Sequence, residues 1–245
     1  MKFLEYLTED LRSEFSDKKW YHGTGHDIEK FSYDYLGKGN DALGVGFYFS
    51  DNPDTASAYA SDSIRDPHYK RIGLPSHPSS PNVIPVHLKL KKPTSQTKPL
   101  TRAQIGKIIK DAPDYKNDLY NFGDVEWEGE HKVLNRAIDQ YTDRTALEAK
   151  HVLFNDFYKN HPEKFLKSFT KHTGYDHSIH TQPTGEQHVV VFHPQNIKSI
   201  HAKFEKDNDN LIESVSSCPE CGANYKLLER RINGYATCNN GHKIK

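Results

Sequence analysis

The sequence predicts an α+β domain followed by a small metal-stapled module, and three observations carry that reading. Short apolar runs rich in Tyr, Phe and Val recur between glycines and polar loops. Amphipathic helical segments are interspersed among them without the alternation of a parallel βαβ sheet. All three cysteines of the 245-residue chain lie after residue 217. Apolar residues make up only 35% of the chain, but 14 Tyr and 12 Phe supply bulk for a core of ordinary size.

Taken in order, residues 2–14 place Phe3, Leu4, Leu7 and Leu11 at helical spacing, with Glu5, Glu9, Asp10 and Arg12 elsewhere on the wheel. That predicts an amphipathic helix within residues 1–16, which packs on the body or docks a partner. Trp20-Tyr21-His22-Gly23-Thr24-Gly25 reads as a strand entering a tight turn, and Phe47-Tyr48-Phe49 as a second strand after the glycines at 37, 39, 44 and 46. Asn52-Pro53-Asp54 opens a helix with Asp51 or Asn52 as N-cap and Ala56, Ala58, Tyr59 and Ala60 in its body. Residues 61–82 are rich in Pro and Ser and read as a surface loop. Ile84, Val86, Leu88 and Leu90 alternate with polar positions and Pro85, a half-buried strand. Thr101 and Gln104 form a capping box ahead of Ile105, Ile108 and Ile109. Helical patches follow at 132–141 and 146–158, and a third opens at Pro162 and breaks at Gly174. Val189–Phe192 is a buried strand by length and β-branching, and the charged stretch 203–210 reads as a linker.

Composition sets limits. Lys plus Arg and Asp plus Glu number 33 each, which excludes a basic nucleic-acid coat and an acidic solvating chain as whole-chain descriptions. No apolar run approaches the ~18 residues a membrane helix needs. The acidic, amphipathic start is unlike a signal peptide, so the expected location is the cytoplasm.

The cysteines give the cleanest motif. Cys218-Pro-Glu-Cys221-Gly is followed after sixteen residues by Cys238-Asn-Asn-Gly-His242. Three thiolates and one imidazole from two Gly-containing turns form a closed tetrahedral zinc set, with no position left open for catalysis. Asn233-Gly234 predicts a hairpin between the halves. A module of residues 217–245 is too small to fold on its apolar surface alone, so the metal would supply the folding energy. Thiolate zinc also requires a reducing compartment. From Ser217 onward five positive charges (Lys226, Arg230, Arg231, Lys243, Lys245) face two negative ones (Glu220, Glu229), a net +3 that leaves −3 for residues 1–216. That mildly basic tail suits contact with nucleic acid or an acidic protein face, and equally an ordinary solvated surface.

In the body, five pieces stand in order: Tyr21-His22-Gly23-Thr24; Gly44-Val-Gly-Phe-Tyr48-Phe-Ser-Asp51 with Ala56-Ser-Ala-Tyr59; Val86-His-Leu-Lys-Leu-Lys-Lys-Pro93; Gly174-Tyr175-Asp176; and Val190-Val-Phe-His-Pro-Gln-Asn-Ile-Lys198-Ser. Together they resemble the ADP-ribosyltransferases of the diphtheria-toxin and poly(ADP-ribose)-polymerase type, and most nearly the domains found in phage and bacterial polyvalent proteins. The resemblance runs over about residues 19–200. It implies a split, curved β-sheet that binds NAD in a cleft, for a domain of residues 17–203, while the charged stretch and the cysteine spacing add a linker at 204–216 and a zinc ribbon at 217–245.

Carried over by position, His22 would hydrogen-bond the adenosine-side ribose, as a donor. Gly23, with Thr24 beside it, would hold the nicotinamide amide through its backbone, Tyr48 would line the nicotinamide pocket, and Tyr59 would stack on the ring. A cationic ring between aromatic faces is electrostatically favoured. At the third family position, usually Glu, the register falls on His188, with Glu186 two residues earlier and on the same face. Either Glu186 takes the role through a shifted register, or His188 replaces it, or catalysis is lost.

The resemblance implies mono-ADP-ribosyl transfer from NAD to a macromolecular acceptor, protein or nucleic acid, with the zinc ribbon choosing the target. The alternatives are an NAD glycohydrolase and a non-catalytic NAD- or ADP-ribose-binding module acting through the ribbon. Taken singly, Tyr48 and Tyr59 also read as core aromatics and His22 as a buried structural histidine. His177-Ser-Ile-His180 is a half-motif for a second metal that lacks a carboxylate or cysteine partner at helical spacing.

Overall fold

A computed structural model describes residues 15–25, 28, 30–36, 43–65 and 82–200, together with four short strands nearer the C-terminus. The described strands of the body are β1 (Lys19–Thr24), β2 (Phe47–Ser50), β3 (Asn82–Leu88), β4 (His177–Thr181), β5 (Gln187–Val191) and β6 (Ile197–Ser199). They form one antiparallel sheet in the order β4-β5-β2-β1-β3-β6. Helix α1 (Pro53–Arg65) follows β2 and lies against β1.

Between β3 and β4 the chain makes a helical insertion: α2 (Arg102–Lys110), α3 (Tyr115–Asp118), α4 (Val125–Glu128), α5 (Glu130–Asp139), α6 (Ala146–Phe157) and α7 (Pro162–Thr173). Capping boxes at Thr101/Gln104 and Thr145/Glu148 start α2 and α6. Gly174, at φ +74°, ends α7 in the left-handed conformation that glycine adopts most easily.

Two apolar cores result. One fills a face of the sheet with Trp20, Phe31, Phe47, Phe49, Val86, Leu88, Val189, Val191 and Ile197. The other joins the helical insertion to the sheet end through Val45 and Phe192, around Ile105, Ile108, Leu153, Phe165 and Phe169. Asp176 ties the two regions together. Its carboxylate accepts from the amides of Lys91 and Lys92, each at 2.9 Å, and from His177 Nδ1 at 2.7 Å.

The α+β architecture agrees with the expectation. The strand read as Ile84–Leu90 starts earlier, at Asn82, and includes Pro85, whose carbonyl accepts from the Ile200 amide. The helix at 53 runs to Arg65, into the stretch read as loop. The N-terminal helix expected in residues 1–16 lies almost wholly outside the described residues, as do Cys218, Cys221, Cys238 and His242. Near the C-terminus, Val215–Ser217 pairs with Asn224–Lys226, and Ala236–Thr237 with Lys243–Ile244. The first of these strands takes in the last two residues of the expected linker. The Asn233-Gly234 turn lies outside the described residues, and the ladders that are described flank each half-site, with Ser217 facing Asn224 and Thr237 facing Lys243. No helix among the described residues is long and apolar enough to cross a membrane.

Candidate active site

The sheet is weakest where β1 meets β2. β1 is paired with β3 at six positions, and β2 with β5 at four, but β1 and β2 are paired only at Tyr21–Ser50. That single pair joins β4-β5-β2 to β1-β3-β6 in the six-stranded sheet. His22 stands at this seam. Its Nδ1 donates to the Tyr48 carbonyl at 2.8 Å, so a side chain supplies a cross-strand bond where no backbone pair is formed. Phe31 meets the imidazole edge-on at 5.0 Å between centroids, and Phe49 lies tilted at 5.6 Å. Burial pushes the His22 pKa down against the opposing Tyr48 bond, so the ring is neutral at pH 7. With the proton on Nδ1, Nε2 is an acceptor. The donor role read from the sequence is therefore reversed at the free nitrogen.

Gly23 is the point of closest approach between β1 and α1. A Cβ built there falls 1.8 Å from the Ala56 carbonyl oxygen and 3.0 Å from the Ala60 nitrogen. Only glycine lets the strand lie so close to the helix backbone. Helix α1 turns Ala56 and Ala60 inward and leaves Tyr59 outward, 59% exposed. Asn52 is its N-cap, with Oδ1 accepting from the Asp54 amide at 2.9 Å. Asp51, the other cap candidate, instead accepts from the Gln187 amide and from Lys18.

Tyr48 is anchored to the loop before its own strand. Its hydroxyl donates to the Gly44 carbonyl at 2.8 Å and accepts from the Leu43 amide at 3.0 Å. From the opposite side the fully buried Lys150 of α6 donates to the Val45 carbonyl at 2.9 Å, its ammonium 4.5 Å from the Phe192 ring centroid. A Cβ at Gly46 would meet Val190 Cγ1 at 2.4 Å, so β2 lies tight on β5 here.

His188 is the second residue of β5, and Glu186 immediately precedes the strand. Register aligns Tyr21, Ser50, His188 and His180 across four strands, on one face. Glu186 reaches the same place: Oε1 accepts from Ser50 Oγ at 2.7 Å and from His188 Nε2 at 2.8 Å, and Oε2 accepts from Asn52 Nδ2 at 3.3 Å. Hydrogen bonds from Ser50 first, then His188, Thr55 and Asn52, hold its carboxyl down to about 2. Tyr59 approaches His188 edge-on at 6.5 Å.

Glu186, His188 and Tyr59 are thus brought together. His22 and Tyr48 are linked separately through the Tyr48 carbonyl, while the Tyr48 hydroxyl is committed to loop residues 43–44. Ser50, Asn52 and Thr55, which hold Glu186, were not singled out as site residues in the sequence. The one available signal was the place of Ser50 and Asn52 in the Phe49-Ser-Asp-Asn52 run just before α1, with Thr55 in its first turn. His177 is bonded to Asp176, and His193 to Tyr33 and Thr170. Among the described residues no group of three or more His, Cys, Asp or Glu could hold a metal ion.

The family model of the ADP-ribosyltransferase in polyvalent proteins matches residues 16–206. Searches among curated proteins and among solved structures found no match. An antiparallel sheet whose His-Gly strand and Phe-Tyr-Phe-Ser strand meet at a single pair, matched by the family model over more than three-quarters of the chain, leads to one conclusion: the chain belongs to the family of ADP-ribosyltransferases found in polyvalent proteins.

Proposed function

We propose that this chain is a mono-ADP-ribosyltransferase that takes NAD as substrate and modifies a macromolecular acceptor. Membership of the family supports NAD and ADP-ribosyl chemistry. The observation that carries the site assignment is the gathering of Glu186, His188 and Tyr59 beside the seam where β1 and β2 share a single pair.

In this reading the nicotinamide amide bonds the backbone of Gly23 and Thr24, the ring lies against Tyr59, and Tyr48 walls the pocket. His22 Nε2 accepts from a hydroxyl of the adenosine-side ribose. A pyridinium cation beside the exposed Tyr59 ring gains on the order of 0.5–2 kcal/mol. The pair at 186 and 188 fills the third position, with the charge of Glu186 near the centre where an oxocarbenium-like cation develops.

For the C-terminus, Cys218, Cys221, Cys238 and His242 bind one structural zinc, a reading supported by the antiparallel pairs Ser217–Asn224 and Thr237–Lys243 that flank the two half-sites. The basic tail then contacts the acceptor, a protein or a nucleic acid.

Incubation with NAD labelled on the adenylate tests the reaction. Label on protein or nucleic acid is the expected result. Label released only as free ADP-ribose makes the chain a glycohydrolase, and unchanged NAD refutes the enzyme.

A further inference from the structure

Resting on the transfer reading above, we propose that Glu186 and His188 act as a carboxylate–imidazole pair. Glu186 fixes His188 as the Nε2–H tautomer, and His188 Nδ1 then accepts a hydrogen bond from a ribose hydroxyl of NAD. Glu186 is the positioning residue and His188 the catalytic one.

The acceptor capacity of Glu186 is the first argument. An ionised carboxylate has about four lone-pair sites and donates nothing. Ser50 Oγ and His188 Nε2 lie on Oε1, Asn52 Nδ2 lies on Oε2, and Thr55 also donates. With four donors in place, no site remains for a substrate hydroxyl unless a protein donor leaves.

The location of those donors is the second argument. Asn52 caps α1 and Thr55 belongs to its first turn, so the carboxylate sits at the N-terminus of a 13-residue helix, where negative charge is stabilised. Glu186 is held as part of the scaffold.

His188 supplies the third. Because a carboxylate only accepts, the 2.8 Å contact requires the proton on Nε2, and the bond made by one ring nitrogen sets the role of the other. In the neutral Nε2–H tautomer that we propose, Nδ1 is an acceptor, and among the described residues it has no hydrogen-bond partner. Its side chain is 17% exposed. The groups facing it are Tyr59 from α1, His180 directly across on β4 and Ser50 on β2; the nearest ion pair on these elements is Lys18–Asp51, whose Asp51 follows Ser50 in the chain.

The reaction balances without a proton moving through the pair. The bond between the anomeric carbon and the nicotinamide nitrogen breaks, and its electrons neutralise the pyridinium. The acceptor nucleophile forms the new bond to that carbon and loses its proton to water. His188 holds the ribose, and the pair presents a negative charge one residue removed from the cationic centre.

A double-mutant cycle on the full chain, reading NAD consumption, separates direct from indirect action. His188→Ala lowers kcat/KM about 100-fold, and Glu186→Ala about 10-fold by freeing the ring. Glu186→Gln, whose amide oxygen still accepts from Nε2, recovers part of that loss. The double variant is expected to be no worse than His188→Ala alone. A product of the two losses, about 1,000-fold, overturns the proposal, because Glu186 would then act on substrate itself. Nitrogen-15 NMR of labelled histidine reads the tautomer independently of turnover. Nε2–H is expected in the wild type, and Nδ1–H overturns the pair whatever the activity. A wild type with Nε2–H that consumes no NAD refutes instead the transfer reading on which the pair's role rests.

Discussion

Replacing Gly23 by alanine tests the closeness of β1 and α1, on which the geometry of the seam depends. The new Cβ would lie 1.8 Å from the Ala56 carbonyl oxygen and 2.7 Å from its carbon, against backbone and not a flexible side-chain tip. Real Cβ atoms stay beyond 3.0 Å, so strand or helix must retreat by at least the 1.2 Å between 1.8 and 3.0. Neither moves easily. β1 is laddered to β3 at all six of its residues, and α1 is fixed by the buried Ala56 and Ala60 and by the Asn52 cap. Forcing atoms into a packed site costs about 1–3 kcal/mol, and a collision with backbone belongs at the upper end. For a domain of this size ~3 kcal/mol lowers Tm by about 6–12 °C. Circular dichroism melting of wild type and Gly23→Ala, each with and without NAD, reads both consequences. The expected result is a Tm drop in that range, with most of the NAD-induced stabilisation gone. A variant that melts within a degree of wild type would refute the contact and with it the reason for glycine at this position.

Lys150→Met keeps most of the side-chain bulk in α6 but leaves the Val45 carbonyl without its ammonium donor. A cost of about 1–3 kcal/mol follows, with a raised KM for NAD because the loop holding the Tyr48 hydroxyl loosens. An unchanged KM would show that the loop does not shape the pocket. Tyr59→Ala, at a position 59% exposed, should leave Tm nearly unchanged while raising KM about tenfold, which steady-state kinetics would measure. The Glu186 carboxyl is held at about 2, below its ordinary 4.5. Its charge therefore stabilises the fold fully above pH 4.5, and that contribution is lost as pH falls toward 2. Glu186→Gln should flatten the stability profile in that window; an identical slope in denaturant titrations would contradict the hydrogen-bond cage. At the C-terminus, elemental analysis should find one zinc per chain, and a chelator should melt the tail without lowering the Tm of the body.

What was legible in the sequence was local. The strand at Lys19–Thr24, the capping box at Thr101 and Gln104, and the helix ended by Gly174 are each set by residues within a few positions of one another. β4 was not legible. His177-Ser-Ile-His-Thr181 has no apolar alternation and becomes a strand by pairing with β5. Likewise Ile197–Ser199 is too short to show a period and is ordered along the edge of β3. The same divide runs through the site. The family resemblance pointed to His22, Tyr48, Tyr59 and the 186–188 pair, but the cage around Glu186 joins it to Ser50 and Asn52 from more than 130 residues away. Nor could sequence assign the proton on His22. Its neutral, Nδ1-protonated form follows from burial and from a bond to the Tyr48 carbonyl, which lies 26 residues away in the chain.

Where NAD binds tests the site most directly. A crystal structure of the chain soaked with NAD should place the nicotinamide amide on the Gly23 backbone, the ring against Tyr59, a ribose hydroxyl at hydrogen-bond distance from His188 Nδ1, and the adenosine-side ribose on His22 Nε2. NAD bound away from the β1–β2 seam, or seated there with its ribose on Glu186 and His188 turned aside, would contradict it.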